Sequence, residues 1–429
     1  MSDSNDLSRF SNSIAQRKAA SRHLAGGVSS TPRGSQLPVP LVIERAEGAH
    51  IFDVDGNDYV DFALGYGPLI LGHTPKPVIE AVERELAKGL RTASVHRGEG
   101  ELAGLMAETV PAAKVVTFVS TGTEAVQLAL RIARAATGRV PVVKFRANYH
   151  GWADSLHVAS GPGNDGPSTA GQDPQASASV TILDWGDIDA VERTLTADHA
   201  AVILEPAAIN GGCFAPPAGY LERLRELTAR LGVMLIFDEV ITGFRLAPGG
   251  AQEIYGVTPD LVILGKALGA GLPISAVAGS PEAMEPVTSG RVMHRGTFNG
   301  NPLSLAAGIA CLGYIRSHAG SLYPRMNAFA ERLQGETIRM ARAAGVPVTA
   351  NRIGSAVQIF VGAESIDGIS DLKRVDRDAT LRFTGEMVRA GVQPLPRGLV
   401  YLCSEHDERD IERALAACET AISALKSGH

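Results

Sequence analysis

The chain has no apolar run approaching the ~20 residues that a membrane-spanning helix needs. Its first stretch, Met1 to Ser13, is polar and lacks the apolar core of an export signal. It has no excess of basic residues either. Forty Lys and Arg stand against 46 Asp and Glu, a formal net charge of −6, which argues against a nucleic-acid footprint. Cysteine is scarce: Cys213, Cys311, Cys403 and Cys418 lie far apart, and neither CxxC nor HExxH occurs, so no metal site is expected. Without an export signal, the four read as reduced thiols of a cytoplasmic protein. No GxxxxGKS/T loop and no strand-linked GxGxxG is present, which removes the common nucleotide-binding signatures. The 47 glycines follow no period, so a collagen-like or solenoid repeat is excluded. About 35 residues precede the first expected strand, too few for an added helix-turn-helix domain.

What is present is an ordinary globular balance, 45% hydrophobic and 20% charged residues. A length of 429 residues predicts about two to three domains. Residues 14–35 read as a helix followed by a Gly-rich stretch. Leu41–Ile43 and His50–Phe52 read as strands around the Asp55-Gly56-Asn57 turn, and Pro77–Leu90 has helical spacing. Apolar strands are expected at Val115–Val119, Val142–Phe145, Ala201–Leu204, Val233–Phe237 and Leu261–Leu264, with helices such as Glu124–Ala136 and Tyr220–Leu231 between them. That alternation predicts an α/β fold, a mostly parallel sheet covered by helices, whose ligands bind beyond the carboxyl ends of the strands. From about residue 312 the pattern changes to helix (Leu322–Ala344), strand (Val357–Phe360), helix (Thr380–Ala390), strand (Leu399–Leu402) and helix (Glu408–Leu425), a smaller α+β domain. Ser160–Ser179 has the composition of a loop, read either as a lid or as a surface insertion.

Four signals fall on the expected binding edge. Ser120-Thr121-Gly122-Thr123-Glu124 joins a strand to a helix N-terminus, where free amides and the helix dipole favour a phosphate; simple N-capping is the plainer reading. Asp238 ends an apolar strand and suits a protonated ring nitrogen, or is a loop acid. Lys266 follows the strand Leu261–Leu264 after one glycine; desolvated there, it could attack an aldehyde as the neutral amine. Lone lysines are more often on the surface. Tyr149 follows the strand Val142–Phe145 and offers a stacking face, or is a core aromatic. Together they supply a phosphate site, a ring-nitrogen partner, an amine and a stacking face, all of which pyridoxal 5'-phosphate (PLP) needs.

These motifs also resemble a family. Gly65-Tyr66-Gly67-Pro68, Ser120–Ala125, Tyr149-His150-Gly151, Glu205-Pro206, Phe237–Arg245, Leu264-Gly265-Lys266 and Gly296–Pro302 look like the class-III PLP-dependent aminotransferases of fold type I, close to the glutamate-1-semialdehyde 2,1-aminomutase branch. The resemblance runs from about Gly26 to the final helix. It implies a large PLP-binding domain at 75–311 and a small domain at 312–429. The N-terminal segment, 1–74, would join the C-terminal one in the smaller α+β domain and form part of the active-site entrance. It implies that Lys266 carries PLP as a Schiff base and shuttles the substrate proton, that Asp238 pairs with the ring nitrogen, and that Tyr149 and Val240 cover the two ring faces. Thr121, Gly122 and Thr123 would hold the phosphate, Asn210 would lie near the ring oxygen, and Glu205 would stand with them or behind them. Thr297 would reach the phosphate of a partner subunit, because the family builds its sites across a homodimer interface. During turnover the cofactor would pass through its pyridoxamine form.

The substrate is less sharply written. Arg33 matches the arginine that receives a substrate carboxylate in the aminomutase branch, a role that its planar fork suits. Tyr66 stands where the aminomutase usually has tryptophan. The aminomutase's C-terminal glutamate motif is replaced by Pro394-Leu395-Pro396-Arg397-Gly398-Leu399, which is more like β-amino-acid aminotransferases. A second arginine suits a 2-oxo acid with two carboxylates; alternatively Arg397 pairs with an acid of its own domain. The reading favoured from sequence is therefore amino transfer from a β- or ω-amino acid to a 2-oxo acid. The aminomutase, or a PLP lyase or racemase on the same scaffold, is the alternative.

Overall fold

The structure, a computed structural model, describes residues 7–90, 93–161 and 165–427. The first six residues of the polar N-terminal stretch and residues 162–164 of the expected loop lie outside the described residues. The chain forms two compact units: residues 1–75 with 324–367 and 374–429, and residues 76–323 with 368–373. The expected boundary at 311/312 falls inside one continuous helix, Pro302–Ala344, and the division lies at Pro324 within it. The small, apolar residues that open this helix extend it well before the expected start at Leu322.

The first unit opens with a helix at Ser11–Ala20, shorter than the sequence pattern suggested. Strands β1 (Ile43–Glu47), β2 (His50–Asp53) and β3 (Asp58–Asp61) follow. The apolar triplet Leu41–Ile43 mostly precedes β1, whose own residues are largely exposed.

The second unit holds the central sheet, β4 (Val115–Val119), β5 (Val142–Phe145), β6 (Val180–Leu183), β7 (Ala201–Leu204), β8 (Met234–Glu239), β9 (Leu261–Leu264) and β10 (Ser275–Gly279). Its spatial order is β4-β10-β9-β8-β7-β5-β6. The pairs β5–β6, β5–β7, β7–β8 and β8–β9 are parallel, and β10 runs antiparallel to both β4 and β9. The sheet is therefore mostly parallel, and the carboxyl ends of β4, β5, β7, β8 and β9 share one edge. β10 escaped the sequence reading because Ser-Ala-Val-Ala-Gly has little strand propensity. Its tight surroundings require small residues: a Cβ on Gly279 would lie 2.6 Å from the Asp260 carbonyl oxygen.

Helix Gly122–Thr137 packs on this sheet. Ala125, Leu128, Ala129, Ile132 and Ala133 are buried in one cluster with Ile203, Ile236, Ile263 and Val277. Each large aliphatic side chain so buried contributes about 1.5–3 kcal/mol, which fixes the helix, and hence its N-terminus, against the strand ends.

The C-terminal part of the first unit carries β11 (Val348–Ile353), β12 (Ala356–Val361), β13 (Val392–Gln393) and β14 (Leu399–Tyr401). β13 adds in parallel to β3, so the N-terminal sheet is closed by a C-terminal strand, and β11-β12-β14 form a second sheet. Helices Arg377–Arg389 and Glu408–Lys426 complete it as an α+β unit. The fold is therefore α/β, with a mostly parallel sheet in one unit and an α+β arrangement in the other.

Candidate active site

All four expected chemical groups of the second unit stand at the shared carboxyl edge. β4 leads into helix Gly122–Thr137 through a capping box. Thr121 Oγ1 accepts from the Glu124 amide at 3.2 Å, and Glu124 Oε2 accepts from the amides of Ser120 at 3.1 Å and Thr121 at 2.8 Å. The amides of Gly122 and Thr123 fall outside that box in the first helical turn, which has no intrahelical acceptors for them. Thr121 thus caps the helix, the plainer of the two expectations, and the capping box leaves the next two amides unused.

Val240 lies between the two glycine turns. Its Cγ atoms are 3.5 Å from where a Cβ would stand on Gly122 and likewise on Gly265. Gly151, at φ +84°, brings the loop after β5 against the same place; a Cβ on it would sit 2.5 Å from Thr123 Oγ1. Only glycine meets both conditions.

Asp238 is the fifth residue of β8 and 5% exposed. Its Oδ1 accepts from the Val240 amide at 3.1 Å, and its Oδ2 lies 2.8 Å from Nδ1 of the buried His150. A carboxylate only accepts, so this Nδ1 carries the proton. His150 Nε2 is buried without a protein partner. Lys266 follows β9 through Gly265 and is partly buried, with a left-handed backbone at φ +45°. Such a conformation is costly for a non-glycine residue and persists where the surroundings impose it. In the sheet register Asp238 is paired with Ile263, three residues before Lys266.

Glu205, directly after β7, is buried and organises the next ring of residues. Its Oε1 accepts from the Tyr149 amide at 2.9 Å and from Asn210 Nδ2 at 3.1 Å, while Oε2 accepts from the Asn210 amide at 3.1 Å. Burial pushes its carboxyl up, opposed by the Tyr149 amide and by His150. Tyr149 remains 42% exposed, with its ring edge-on to His157. Burial and the nearby Asp238 charge push its phenol up. Thr297 lies in the exposed segment Met293–Phe298.

Two further buried polar residues near this edge, His150 and Lys144, were not singled out from the sequence. His150 was visible only as part of a motif. Lys144 had a plain signal: a charged residue inside a four-residue strand that is buried throughout.

The residues expected to bind substrate all lie in the first unit. Tyr66 sits in a left-handed run: Leu64, Gly65, Tyr66 and Gly67 have φ of 44°, 63°, 72° and 105°. Burial pushes its phenol up, and the positive charges of Arg33 and Arg397 oppose that shift, so both guanidiniums lie within electrostatic reach of it. Arg397 stands at the tip of a tight turn, closed by the Gly398 amide to Leu395 O at 2.9 Å and the Leu395 amide to Leu399 O at 3.0 Å. Gly398 has φ +86°, and a Cβ there would collide with Ile359 O. The described part of the expected lid is fastened to the loop after β5. Arg146 Nε donates to Asp165 Oδ1 at 2.7 Å, Gln172 Nε2 to His157 O at 2.9 Å, and the Asp173 amide to Asp154 Oδ2 at 3.0 Å.

Among the described residues there is no group of His, Cys, Asp and Glu suited to a metal ion. The donor set of the second unit fits PLP: helix-end amides for a phosphate, a buried carboxylate for a ring nitrogen, an aromatic face and a primary amine.

Comparison with known proteins bears on the same set. The family model for aminotransferase class-III matches residues 31–337. The chain belongs to the class-III aminotransferase family. This member is 38% identical to the glutamate-1-semialdehyde 2,1-aminomutase of Rhodopirellula baltica, over 96% of both chains. Among solved structures it is similar to an omega-transaminase from Sphaerobacter thermophilus, at 33% identity and a TM-score of 0.88 over 96% of this chain and 97% of that one. It is similar too to a β-phenylalanine aminotransferase from Variovorax paradoxus, at 29% identity and 0.87 over 98% and 95%. A glutamate-1-semialdehyde aminomutase from Pseudomonas aeruginosa in complex with PMP matches at 25% identity and 0.88 over 98% and 96%. The class-III family member described here is a PLP-dependent enzyme. No helix among its described residues is long and apolar enough to cross a membrane.

Proposed function

We propose that this enzyme moves an amino group on a carboxylate-bearing substrate, and that the move is intramolecular, as in glutamate-1-semialdehyde 2,1-aminomutase. The full-length likeness to a relative of that name supports this reading over the intermolecular one that the sequence motifs alone favoured. The observation that carries the chemistry is Lys266 and Asp238 at the ends of adjacent strands, beside the open helix turn at Gly122. When bound, PLP supplies an electron sink for the carbon that bears the amino group.

The chain's own residues do the rest. Thr121, Gly122 and Thr123 hold the phosphate. Asp238 keeps the ring nitrogen protonated, with His150 fixing the carboxylate. Tyr149 and Val240 cover the ring faces and exclude water, and Asn210 lies toward the ring oxygen. Glu205 positions Tyr149 and Asn210 rather than touching the ring. Lys266 attaches the cofactor and, when released, carries a proton to and from the substrate carbon as a neutral amine. Arg33 receives a substrate carboxylate, with Tyr66 beside it. The exposed apolar side chains of Met293 and Phe298, 62% and 67% exposed, suit a face covered by a second copy, from which Thr297 reaches the partner's site.

One observation favours intermolecular transfer. Arg397 lies near Tyr66 together with Arg33, and two guanidiniums suit an acceptor with two carboxylates. The deciding experiment supplies glutamate 1-semialdehyde alone to PLP-loaded enzyme. Formation of 5-aminolevulinate without an added acceptor supports the mutase. Turnover only of β- or ω-amino acids, and only with 2-oxoglutarate, would reverse the order of the two readings.

A further inference from the structure

Lys144 is fully buried in β5, a position from which a charge is normally excluded. Among the described residues no carboxylate is hydrogen-bonded to it. Its Nζ instead donates to three backbone carbonyls of one loop, Asn148 O at 3.4 Å, Leu156 O at 3.2 Å and Val158 O. An ammonium has three N–H donors, and all three are used. Between these carbonyls the loop carries Tyr149, His150 and Gly151. Two ionisable groups outside its own strand act on or feel Lys144: the Glu205 carboxylate after β7 favours its charge, and His157 on the loop is pushed down by burial and by that charge. Its neighbour across the sheet, on β6, is the apolar Ile182.

We propose that Lys144 is a positioning residue of this site: its ammonium ties down the loop that presents Tyr149 to the cofactor ring and His150 to Asp238, and balances the charge of Glu205. The inference rests on the cofactor roles given above to Tyr149 and His150. The chemistry requires the charged form. A neutral amine has two N–H donors and a lone pair, so one carbonyl would lose its donor and face that lone pair. An unsatisfied buried carbonyl is costly, and the loop relieves it by opening. Burial lowers the lysine to about 8, and the charge of Glu205 opposes that shift.

The test compares wild type with Lys144→Met and Lys144→Arg. Hydrogen exchange of the PLP-free protein is followed by mass spectrometry in peptides covering 146–158. PLP affinity is measured from the visible absorbance of the bound cofactor. Lys144→Met is expected to raise exchange in 146–158 by about tenfold or more, leave helix Pro302–Ala344 unchanged, and weaken PLP binding by about tenfold or more. Should Lys144→Met not fold, Lys144→Arg takes its place. A planar fork keeps the charge but does not match three carbonyls gathered around one nitrogen, so the same changes are expected at about threefold. Unchanged exchange in 146–158, or faster exchange with unaltered PLP affinity, overturns the proposal. Failure of the cofactor reading looks different: wild type then shows no visible PLP band, whatever its exchange.

Discussion

The two units handle polar groups in opposite ways. In the second, the candidate cofactor residues are locked by one another: His150 on Asp238, Glu205 on Tyr149 and Asn210, Thr121 on Glu124. In the first, Arg33 and Arg397 are exposed side chains on turns, near a half-buried tyrosine. A cofactor that never changes suits donors fixed before it arrives, since preorganisation removes the ordering cost at binding. A substrate pole on turns adapts by changing single side chains. The cofactor chemistry is for that reason legible with more detail than the substrate.

The sharpest way to break this contrast is at Lys266. Lys266→Ala should abolish the visible PLP band and cut turnover by about 10⁴-fold or more, because it removes both the attachment and the proton carrier. Retention of the band would mean that another lysine carries the cofactor. Next in size are the arginines. Arg33→Ala should raise the KM for the amino substrate by about tenfold to a hundredfold, with PLP affinity intact, as expected for a lost charge-assisted pair of 1.5–3 kcal/mol. Arg397→Ala should do the same for 2-oxoglutarate if the acceptor reading holds, and should leave a pure mutase nearly unaffected. Steady-state kinetics beside a PLP titration separates the two units. If either arginine variant loses PLP, the contrast fails.

Gly151→Ala probes the locked unit alone. The added Cβ meets Thr123 Oγ1 on a left-handed backbone, so stability should fall by about 1–3 kcal/mol in denaturant unfolding, with weaker PLP binding and an unchanged substrate KM at saturating PLP. The smallest effect concerns pH. Lys144 releases its proton near pH 8 in the folded protein but near ~10.4 when unfolded, so the unfolded state binds more protons between those values. Stability from this group therefore rises with pH across that window, even as the loop loses a hydrogen bond. Thermal unfolding of the PLP-free protein should show a gain from pH 8 to 10 in wild type relative to Lys144→Met.

Much of the second unit was readable from sequence because buried parallel strands leave short apolar runs, and the candidate residues Asp238, Lys266 and Tyr149 each stand at or just beyond the end of one. β10 was not, since small residues packed between two strands carry no strand signature. The units divide at Pro324 rather than near 312, and both positions lie inside helix Pro302–Ala344, which leaves no local signal of a boundary. His150 and Lys144 were passed over for a shared reason. Their roles come from partners 88 residues away on β8, or from carbonyls, which have no letter in a sequence.

The sequence by itself determined the alternation of strands and helices, the order of the chemical residues and their place at strand ends, since these follow from local patterning and chain direction. Only the tertiary structure decided which of them meet. It set Val240 between two glycine turns, gave Asp238 its histidine and Lys144 its three carbonyls, and brought Arg33 and Arg397 within reach of the same tyrosine. Apart from the Lys144 bonds, which join a strand to the loop that follows it, these are contacts between distant segments, fixed by packing and by the need to satisfy every buried polar group.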